Sequence, residues 1–185
     1  MEPKEKDKNK KISKLLSYVL RHHPDHIGLQ LDENGWANTI ELLEKINNSG
    51  TPVDRELLET IVATNDKKRF AFNEDKSRIR ASQGHSIDVD LQLIETVPPE
   101  TLYHGTTTTF VDSIMSTGLQ KQSRQHVHLS ETIDTAKAVG SRHGAPVLLK
   151  VNAGEMHRSG FKFYLSANHV WLTEEVPASF LELFR

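Results

Sequence analysis

The chain has 185 residues, of which 36% are hydrophobic and 26% are charged. This size and composition are typical of a soluble globular protein with one large or two small domains. The absence of cysteine excludes disulfides, thiol catalysis and thiolate metal sites. No apolar run approaches the ~20 residues of a membrane span, and residues 1–11 lack the apolar core of a signal peptide. We therefore expect residues 1–10 to be a disordered lead-in and the protein to be cytoplasmic, with no membrane partner.

The net charge of −2 hides an uneven distribution of charged residues. Residues 1–85 carry 15 Lys and Arg against 14 Asp and Glu, whereas residues 86–185 carry 8 against 11. Within residues 67–80, the basic residues are Lys67, Lys68, Arg69, Lys76, Arg78 and Arg80, against only Glu74 and Asp75. A patch of this kind can bind phosphates, but a solvated hairpin surface would have the same charge.

The first half of the chain has helical and then alternating periodicity. Apolar residues at helical spacing predict a helix over 12–20, which ends near Arg21-His22-His23 because Pro24 blocks its continuation. Cations also suit a helix C-terminus, which is an alternative explanation for Arg21 and His22.

Two further helices and a hairpin follow. The second helix is predicted to start at Asn38, with Glu41 completing a capping box, and to end at Gly50. Its predicted inner face consists of Ile40, Leu42, Leu43 and Ile46. A third helix is predicted from Asp54, and residues 69–72 and 77–80 alternate as a hairpin. Three helices followed by a hairpin indicate a winged-helix-like domain over residues 11–85.

The second half predicts an α+β sheet domain over residues 86–185. A linker from residue 81 leads to a strand over 89–93, and His104-Gly105-Thr106 forms a strand-to-helix corner suited to ligand binding. A helix over 110–115 ends at Gly118, and a second runs from a cap at Ser130 or Thr132 to about Gly140. Further strands are predicted over 126–129, 146–151, 161–165 and 169–172.

The sequence gives only weak evidence for a metal site or for a catalytic nucleophile. His126 and His128 lie two residues apart on a predicted strand, so both could bind zinc from one face, but no third ligand can be identified and we expect no metal. The sequence contains no G-x-G-x-x-G motif, Walker loop or G-x-S-x-G motif.

Eight motifs together resemble a known family. They are Leu-Ser-Tyr-Val-Leu-Arg-His-His-Pro (16–24), Asp-Glu-Asn-Gly-Trp (32–36), Asp-Lys-Lys-Arg-Phe (66–70), Ile-Arg-Ala-Ser-Gln-Gly-His-Ser (79–86), Leu-Tyr-His-Gly-Thr (102–106), His-Val-His-Leu-Ser (126–130), Gly-Ser-Arg-His-Gly (140–144) and Val-Trp-Leu-Thr (170–173). In this order and spacing they resemble the RNA 2′-phosphotransferase family, known in eukaryotes from tRNA splicing. The resemblance extends from about Lys11 to Phe184.

The resemblance implies a winged-helix-like RNA lobe followed by an ADP-ribosyltransferase-like lobe that binds NAD as co-substrate. An internal RNA 2′-phosphate would first attack the nicotinamide ribose and expel nicotinamide, giving a 2′-phospho-ADP-ribosylated RNA. The ribose 2″-hydroxyl would then attack phosphorus, releasing RNA and ADP-ribose 1″,2″-cyclic phosphate. The partners would be NAD and a tRNA-like RNA, and we expect a monomer.

The resemblance also implies the site residues. The catalytic set is Arg21, His22, Arg69 and Arg124, and Lys67 is an auxiliary phosphate-binding cation. The residues that would bind NAD are His104, Gly105, Thr106, His128, Ser130, Arg142 and Val170.

The chemistry of these residues agrees with that reaction. Arginines bind phosphate through paired donors and stay charged, and a histidine such as His22 can protonate the RNA 2′-oxygen as it leaves. Many protein-modifying ADP-ribosyltransferases carry a Glu near the nicotinamide ribose. Here residues 168–173 contain no carboxylate, and the first one that follows is Glu174. An anionic phosphate nucleophile needs no base, so this absence favours a phosphorylated acceptor.

Two rival functions remain open from the sequence. One is a nucleic-acid ADP-ribosyltransferase that caps terminal phosphates and stops after the first step. The other is a non-catalytic RNA-binding module that uses only the winged half.

Overall fold

The computed structural model describes residues 3–142 and 144–184, and the chain forms two compact units, Met1–Gln92 and Leu93–Arg185. The described residues form six α-helices and four small antiparallel sheets, which agrees with the predicted α+β class. The boundary falls after Gln92 instead of after residue 85. The reason is that the segment after residue 85 belongs to the first unit, where Val89 and Leu91 are buried and the Asp90 N–H donates to the Glu33 carbonyl.

The first helix is longer than the sequence pattern predicts. Helix α1 spans Pro3–Arg21, so the predicted disorder of residues 1–10 is wrong from Pro3 onward. Lys and Glu are good helix formers, and Asn9 is buried despite its polar neighbours. The end at Arg21 is as predicted, and a 3₁₀ turn, Pro24–Ile27, follows.

Helices α2, Thr39–Asn48, and α3, Arg55–Ala63, begin where the sequence predicts, directly after Asn38 and Asp54. The Asn38 side chain accepts hydrogen bonds from the backbone N–H groups of Ile40 and Glu41, and the Asp54 side chain accepts one from Leu57. The prediction that Ile40 faces inward is wrong, because Ile40 is 63% exposed. It lies about 200° around the helix from the buried Leu42.

The sheet of the first unit contains three short strands. They are β1, Ala37–Asn38, β2, Phe70–Phe72, and β3, Arg78–Ala81, in the antiparallel order β1-β3-β2. Phe70 and Ile79 are buried against the helices, whereas Arg78 on the opposite face of β3 is exposed. The hairpin therefore presents its basic side chains away from the core, as its alternation predicts.

The second unit has a sheet of order β11-β7-β4, a sheet of order β6-β9-β8 and the pair β10-β5. Its elements in chain order are β4 (Leu102–Thr107), α4 (Thr108–Thr117), β5 (Leu119–Gln120), β6 (Val127–Leu129), α5 (Ile133–Gly140), β7 (Pro146–Val151), α6 (Ala153–Arg158), β8 (Tyr164–Leu165), β9 (Trp171–Thr173), β10 (Glu175–Val176), a 3₁₀ turn (Ala178–Phe180) and β11 (Leu181–Leu183).

Several local predictions in the second unit need correction. The segment 89–93 is not a strand, and its neighbour Glu95 forms only an isolated bridge to Tyr164. The predicted strand over 161–165 shortens to β8, and the strand predicted over 169–172 is β9, which begins two residues later and ends one residue later. Helix α5 is capped by Thr132, whose side chain accepts a hydrogen bond from the Thr135 N–H. Within the described residues, none of the helices is long and apolar enough to cross a membrane.

Strand β4 is the element that positions the second unit's polar residues. It pairs along its whole length with β7, and His104 stands opposite Leu149. Helix α5 packs directly on β4 at Gly105, where an added Cβ would lie 1.8 Å from the Ala136 carbonyl oxygen. Glycine is therefore required at this position for the helix to approach the strand.

Candidate functional site

The first unit gathers three of the predicted catalytic residues. Arg21 ends α1, and its guanidinium Nη2 donates to the Arg69 carbonyl oxygen at 3.4 Å. The same guanidinium lies 6.0 Å from the centre of the Phe70 ring. His22 follows Arg21 directly, so the end of α1 and the start of β2 bring Arg21, His22 and Arg69 together. We call these three residues the basic cluster.

The segment 82–86 holds the basic cluster in place. At one end, the Ser82 N–H donates to the Arg69 carbonyl at 2.8 Å and the Ser82 hydroxyl donates to the Lys68 carbonyl at 2.9 Å. At the other end, the Ser86 N–H donates to the Arg21 carbonyl at 3.0 Å, and the Ser86 hydroxyl is hydrogen-bonded to Nδ1 of His22 at 2.9 Å. Segment 82–86 therefore forms hydrogen bonds both to Arg21 and His22 at the end of α1 and to Arg69 before β2.

The loop before β2 is ordered by one asparagine. Oδ1 of Asn65 accepts hydrogen bonds from the backbone N–H groups of Lys67, at 3.2 Å, and Arg69, at 3.4 Å. Between them, Lys68 has a left-handed φ of +42°. The predicted auxiliary cation Lys67 is exposed at the tip of this loop, next to Arg69 in the chain.

His85 is a buried histidine beside the basic cluster. Its side chain is fully buried, at 0% exposure, and within the described residues neither ring nitrogen has a hydrogen-bond partner. Burial lowers the pKa of His85 from 6.5 to about 4, and the nearby charges of Arg21, His22 and Arg80 add to this effect. His85 is therefore neutral at physiological pH, and it adds no positive charge to a region already rich in cations.

In the second unit, His104 is held in one tautomer. Its Nδ1 is hydrogen-bonded to the His128 backbone carbonyl at 3.1 Å, and a carbonyl can only accept, so Nδ1 carries the proton. Burial lowers the pKa of His104 and the charge of Arg124 adds a smaller decrease, whereas the hydrogen bond to the His128 carbonyl raises it. The imidazole is therefore neutral, with Nε2 available as an acceptor.

Arg124 and His128 lie next to His104. Nη1 of Arg124 contacts Nδ1 of His128 at 3.4 Å, and since an arginine can only donate, His128 accepts through Nδ1. Burial lowers the pKa of Arg124, and so does the positive charge of Arg142. Arg142 is exposed just beyond the end of α5. The two arginines and two histidines thus form a second group of polar residues, which we call the β4–β6 cluster.

The remaining predicted NAD residues have different local roles. Ser130 pairs with Tyr103 through two backbone hydrogen bonds of 2.8 Å, which join the end of β6 to β4. Thr106 is buried on β4, and Gly105 is the contact point of α5. Val170 lies in a turn, and its own backbone N–H and carbonyl are both hydrogen-bonded to the Ser166 hydroxyl at 3.0 Å. Sequence reasoning did not single out Ser166.

The nearest carboxylate after residues 168–173 has another partner. Glu174 forms an ion pair with Lys121, and both side chains are exposed. His126, the other residue of the His-x-His pair, has a pKa that is lowered mainly by burial. Within residues 3–142 and 144–184, no group of three His, Asp or Glu side chains could hold a metal ion.

The predicted site residues therefore fall into two groups. Arg21, His22, Lys67 and Arg69 lie in the first unit, and Arg124 lies in the second with all seven predicted NAD residues. Sequence reasoning assigned no role to Asn65, Ser82, His85, Ser86 or Ser166, although Ser82, His85 and Ser86 lie within the quoted motif 79–86. Apart from the contact between the Ser86 hydroxyl and His22, the hydrogen bonds described above for Asn65, Ser82 and Ser86 involve backbone groups, which leave no signal in the sequence. Paired arginines beside a histidine are typical of proteins that bind phosphate groups.

Comparison with known proteins assigns the chain to a family. Residues 7–175 match the model of the RNA 2′-phosphotransferase, Tpt1 / KptA family. A protein of Flavobacterium johnsoniae named Probable RNA 2′-phosphotransferase is 61% identical over 173 residues, which cover 94% of this chain and 95% of that protein. Proteins with the same name from Fusobacterium nucleatum and Hahella chejuensis are 53% and 54% identical, and each alignment covers 95% of this chain and 99% and 95% of the relative, respectively.

The chain belongs to the RNA 2′-phosphotransferase, Tpt1 / KptA family. The resemblance read from the eight motifs is confirmed, and the family is one of transferases named for their action on RNA 2′-phosphate.

Proposed function

We propose that this protein removes an internal 2′-phosphate from RNA by transferring it to NAD. The observation that carries the proposal is the basic cluster, in which segment 82–86 holds Arg21, His22 and Arg69 together in a member of the RNA 2′-phosphotransferase family. The products are RNA with a 2′-hydroxyl, nicotinamide and ADP-ribose 1″,2″-cyclic phosphate. The RNA passes through a 2′-phospho-ADP-ribosylated form, as in the reaction that the sequence resemblance implies.

In this proposal the arginines bind and stabilise the phosphate. Arg21 and Arg69 supply planar guanidinium groups, each able to donate two hydrogen bonds to phosphate oxygens. Lys67 adds a flexible ammonium group at the edge of the same loop. Arg124, in the second unit, is the fourth member of the catalytic set that the sequence resemblance implies. The charges of Arg21, Lys67 and Arg69 bind the dianionic phosphate before the first step and stabilise the extra charge on the phosphoryl group in the second step.

His22 acts as the general acid of the second step. When the bond between phosphorus and the RNA 2′-oxygen breaks, that oxygen leaves as an anion and needs a proton. The hydrogen bond to Ser86 engages Nδ1 of His22 and orients the ring, and we assign delivery of the proton to Nε2. The first step needs no acid, because nicotinamide leaves a cationic glycosidic bond as a neutral base.

The β4–β6 cluster has a donor and acceptor set that fits NAD. Nε2 of neutral His104 can accept a hydrogen bond from a ribose hydroxyl, and the hydroxyl of Ser130 can donate or accept one. Arg142 is exposed and can pair with the pyrophosphate. Gly105, Thr106, His128 and Val170 complete the proposed binding residues. NAD supplies the electrophilic ribose carbon and the 2″-hydroxyl.

We further infer the architecture that corresponds to these roles. The first unit, three helices followed by a β2–β3 hairpin, is a winged-helix-like RNA lobe. The second unit is an ADP-ribosyltransferase-like lobe. The protein acts in RNA processing of the kind known from tRNA splicing, on a tRNA-like RNA, as a monomer and in the cytoplasm.

The proposal is tested by incubating a 2′-phosphorylated RNA with NAD. We expect stoichiometric nicotinamide and the cyclic phosphate, detected by mass spectrometry. Arg69→Lys keeps the charge and removes the paired donors, so it should retain more activity than Arg69→Ala, which should lose about 2–4 kcal/mol of transition-state stabilisation.

Other products would overturn the proposal. A stable ADP-ribosylated 5′-phosphate end, with the 2′-phosphate intact, would indicate a capping ADP-ribosyltransferase. Binding of RNA without binding of NAD and without turnover would indicate a non-catalytic module.

A further inference from the structure

A groove in the first unit leads away from the basic cluster. It runs between one face of α1 and the loop that joins α3 to β2, and it encloses about 510 Å³. Lys67 and Arg69 line one wall, and Lys10 and Lys14 line the other. We call this feature the α1 groove. Because two of its lining residues belong to the proposed phosphate site, the groove is continuous with that site.

The charge of the groove is strongly positive. Four cationic side chains line it, and among the described lining residues Asp66 is the single carboxylate. Lys10 and Lys14 are exposed, and no ion pair involves either of them among residues 3–142 and 144–184. They lie four residues apart on α1, so both point to the same side of the helix. This arrangement attracts an extended polyanion.

The other groups in the groove suit a phosphate–sugar backbone. Ser13 and Ser17 lie one turn apart on the same face of α1, and Nδ2 of Asn65 donates to the Ser13 hydroxyl at 3.3 Å. Hydroxyl and amide groups are common partners of phosphate and sugar oxygens. No aromatic ring lines the groove among the described residues, so the geometry lacks the stacking surface that would bind bases. Recognition here would therefore be independent of sequence.

The geometry points to the α1 groove as the binding site for the RNA strand next to the 2′-phosphorylated nucleotide. Lys10 and Lys14 neutralise phosphodiesters of that strand, while the 2′-phosphate occupies the basic cluster. This inference rests on the proposed function for the position of the 2′-phosphate, but it concerns a separate contact. It predicts that the enzyme distinguishes substrates by length as well as by the 2′-phosphate.

The test compares a long and a short RNA that carry the same internal 2′-phosphate. The long RNA has about a dozen nucleotides, within the range that single-strand sites usually contact, and the short one is a trinucleotide. Binding is measured without NAD by fluorescence anisotropy across a range of salt concentrations, and kcat/KM is measured with NAD. The variants are the double substitution Lys10→Gln with Lys14→Gln, and the control Lys11→Gln.

The double variant should bind the long RNA about tenfold more weakly at 0.1 M salt. The slope of log K against log salt should fall by about 1.4, since each phosphate contact on a single strand contributes about 0.7. Binding and turnover of the trinucleotide should stay at the wild-type level. Lys11→Gln removes the same charge from the same helix, but Lys11 pairs with Asp7 outside the groove. This control should change neither the affinity nor kcat/KM for either RNA.

Two results would overturn the inference. One is an unchanged affinity and salt slope of the double variant for the long RNA. The other is an equal loss on both RNAs, which would mean that the substitutions damage the unit as a whole. Failure of the proposed function has a different signature, because the wild type would then turn over neither RNA while the anisotropy comparison still reports on the groove.

Discussion

At the scale of single residues, His22 and His85 are neighbouring histidines with opposite environments. His22 is partly exposed and hydrogen-bonded to the exposed Ser86. His85 is fully buried, and its pKa is lowered to about 4. A proton donor needs contact with its substrate and a pKa close to neutrality, and His85 has neither. Of the two histidines, His22 is therefore the candidate for the proposed acid role, and His85 is a neutral packing residue.

His22→Ala should slow the second chemical step more than the first. A positioned general acid contributes about 10²–10⁴ in rate, so the ADP-ribosylated RNA should accumulate in a single-turnover experiment followed by gel electrophoresis. Ser86→Ala should have a smaller effect, about tenfold, since it removes one hydrogen bond to His22. The double variant should be no slower than His22→Ala alone. Loss of the first step instead would make His22 a binding residue.

His85 should make the folded protein less stable in acid. Between pH 6.5 and 4 the unfolded chain protonates this histidine and the folded chain does not, so lowering the pH favours unfolding. The free energy of unfolding should fall by about 3 kcal/mol across that window. His85→Leu should remove this part of the pH dependence, as measured by urea unfolding at several pH values.

A packing control separates titration from loss of contacts. Val89 lies beside Gly35 together with His85, and Val89→Ala should lower stability by a similar amount at every pH. An unchanged pH dependence in His85→Leu would contradict the assignment of a lowered pKa.

At the scale of elements, the contact between α5 and β4 determines how closely this helix packs on the sheet of the second unit. Gly105 allows the Ala136 carbonyl to approach β4, and the same strand carries His104 and pairs with Ser130 through Tyr103. The glycine that the family resemblance assigns to NAD therefore has a structural reason of its own. A change at Gly105 should act on stability and on the neighbouring His104 together.

Gly105→Ala should destabilise the protein by about 3 kcal/mol or more, because a Cβ only 1.8 Å from a backbone oxygen forces α5 away from β4. Gly50→Ala is a suitable comparison. At Gly50 an added Cβ meets no atom within 4 Å and only the positive φ opposes it, so the cost should be about 1 kcal/mol. Equal losses of unfolding free energy in the two variants would contradict the close approach of α5.

The elements that the sequence predicts correctly are those whose ends or periodicity depend on neighbouring residues. Neighbouring residues indicate the end of α1 at Arg21, shortly before Pro24, the starts of α2 and α3 after Asn38 and Asp54, and the apolar run of β7. The pair β5–β10 and strand β11 were missed, because strands of two or three residues exist only through distant partners. Helix α6 was missed because it has only six residues.

The candidate site divides in the same way. The candidate arginines and histidines come from the family resemblance, whose motifs contain all of them except Arg124. The supporting contacts of Asn65, Ser82 and Ser86 were not predicted, because most of them involve backbone groups and the contact of the Ser86 hydroxyl with His22 joins residues 64 positions apart in the chain. Burial of His85 could not be predicted either, because no ionic partner accompanies it.

At the scale of the whole molecule, the proposed catalytic residues are divided between two compact units joined near Gln92. The connecting segment after Gln92 contains the exposed apolar residues Ile94 and Val97, which are 80% and 72% exposed. Both sides of the junction are tied to their own unit, through the hydrogen bonds of Asp90 to Glu33 and of Thr96 to Phe163.

Limited proteolysis of the native protein should first cut within residues 92–97. This segment combines exposure with a lack of regular structure, so subtilisin at low concentration should give two fragments of nearly equal mass. Their masses can be measured by mass spectrometry. First cuts inside β4, β7 or α2 would contradict the division of the chain into these two units.

The segment 82–86 also limits how the chain can change in length. Its two ends are bonded to carbonyls of Arg69 and Arg21, which are separated by 47 residues in the sequence and joined by a segment of five residues. Insertion or deletion of one residue would force the chain to give up one of these bonds, and with it the placement of one arginine. Natural variation in length should therefore accumulate elsewhere, at the exposed turn 73–76 of the hairpin, while this short stretch keeps a constant number of residues.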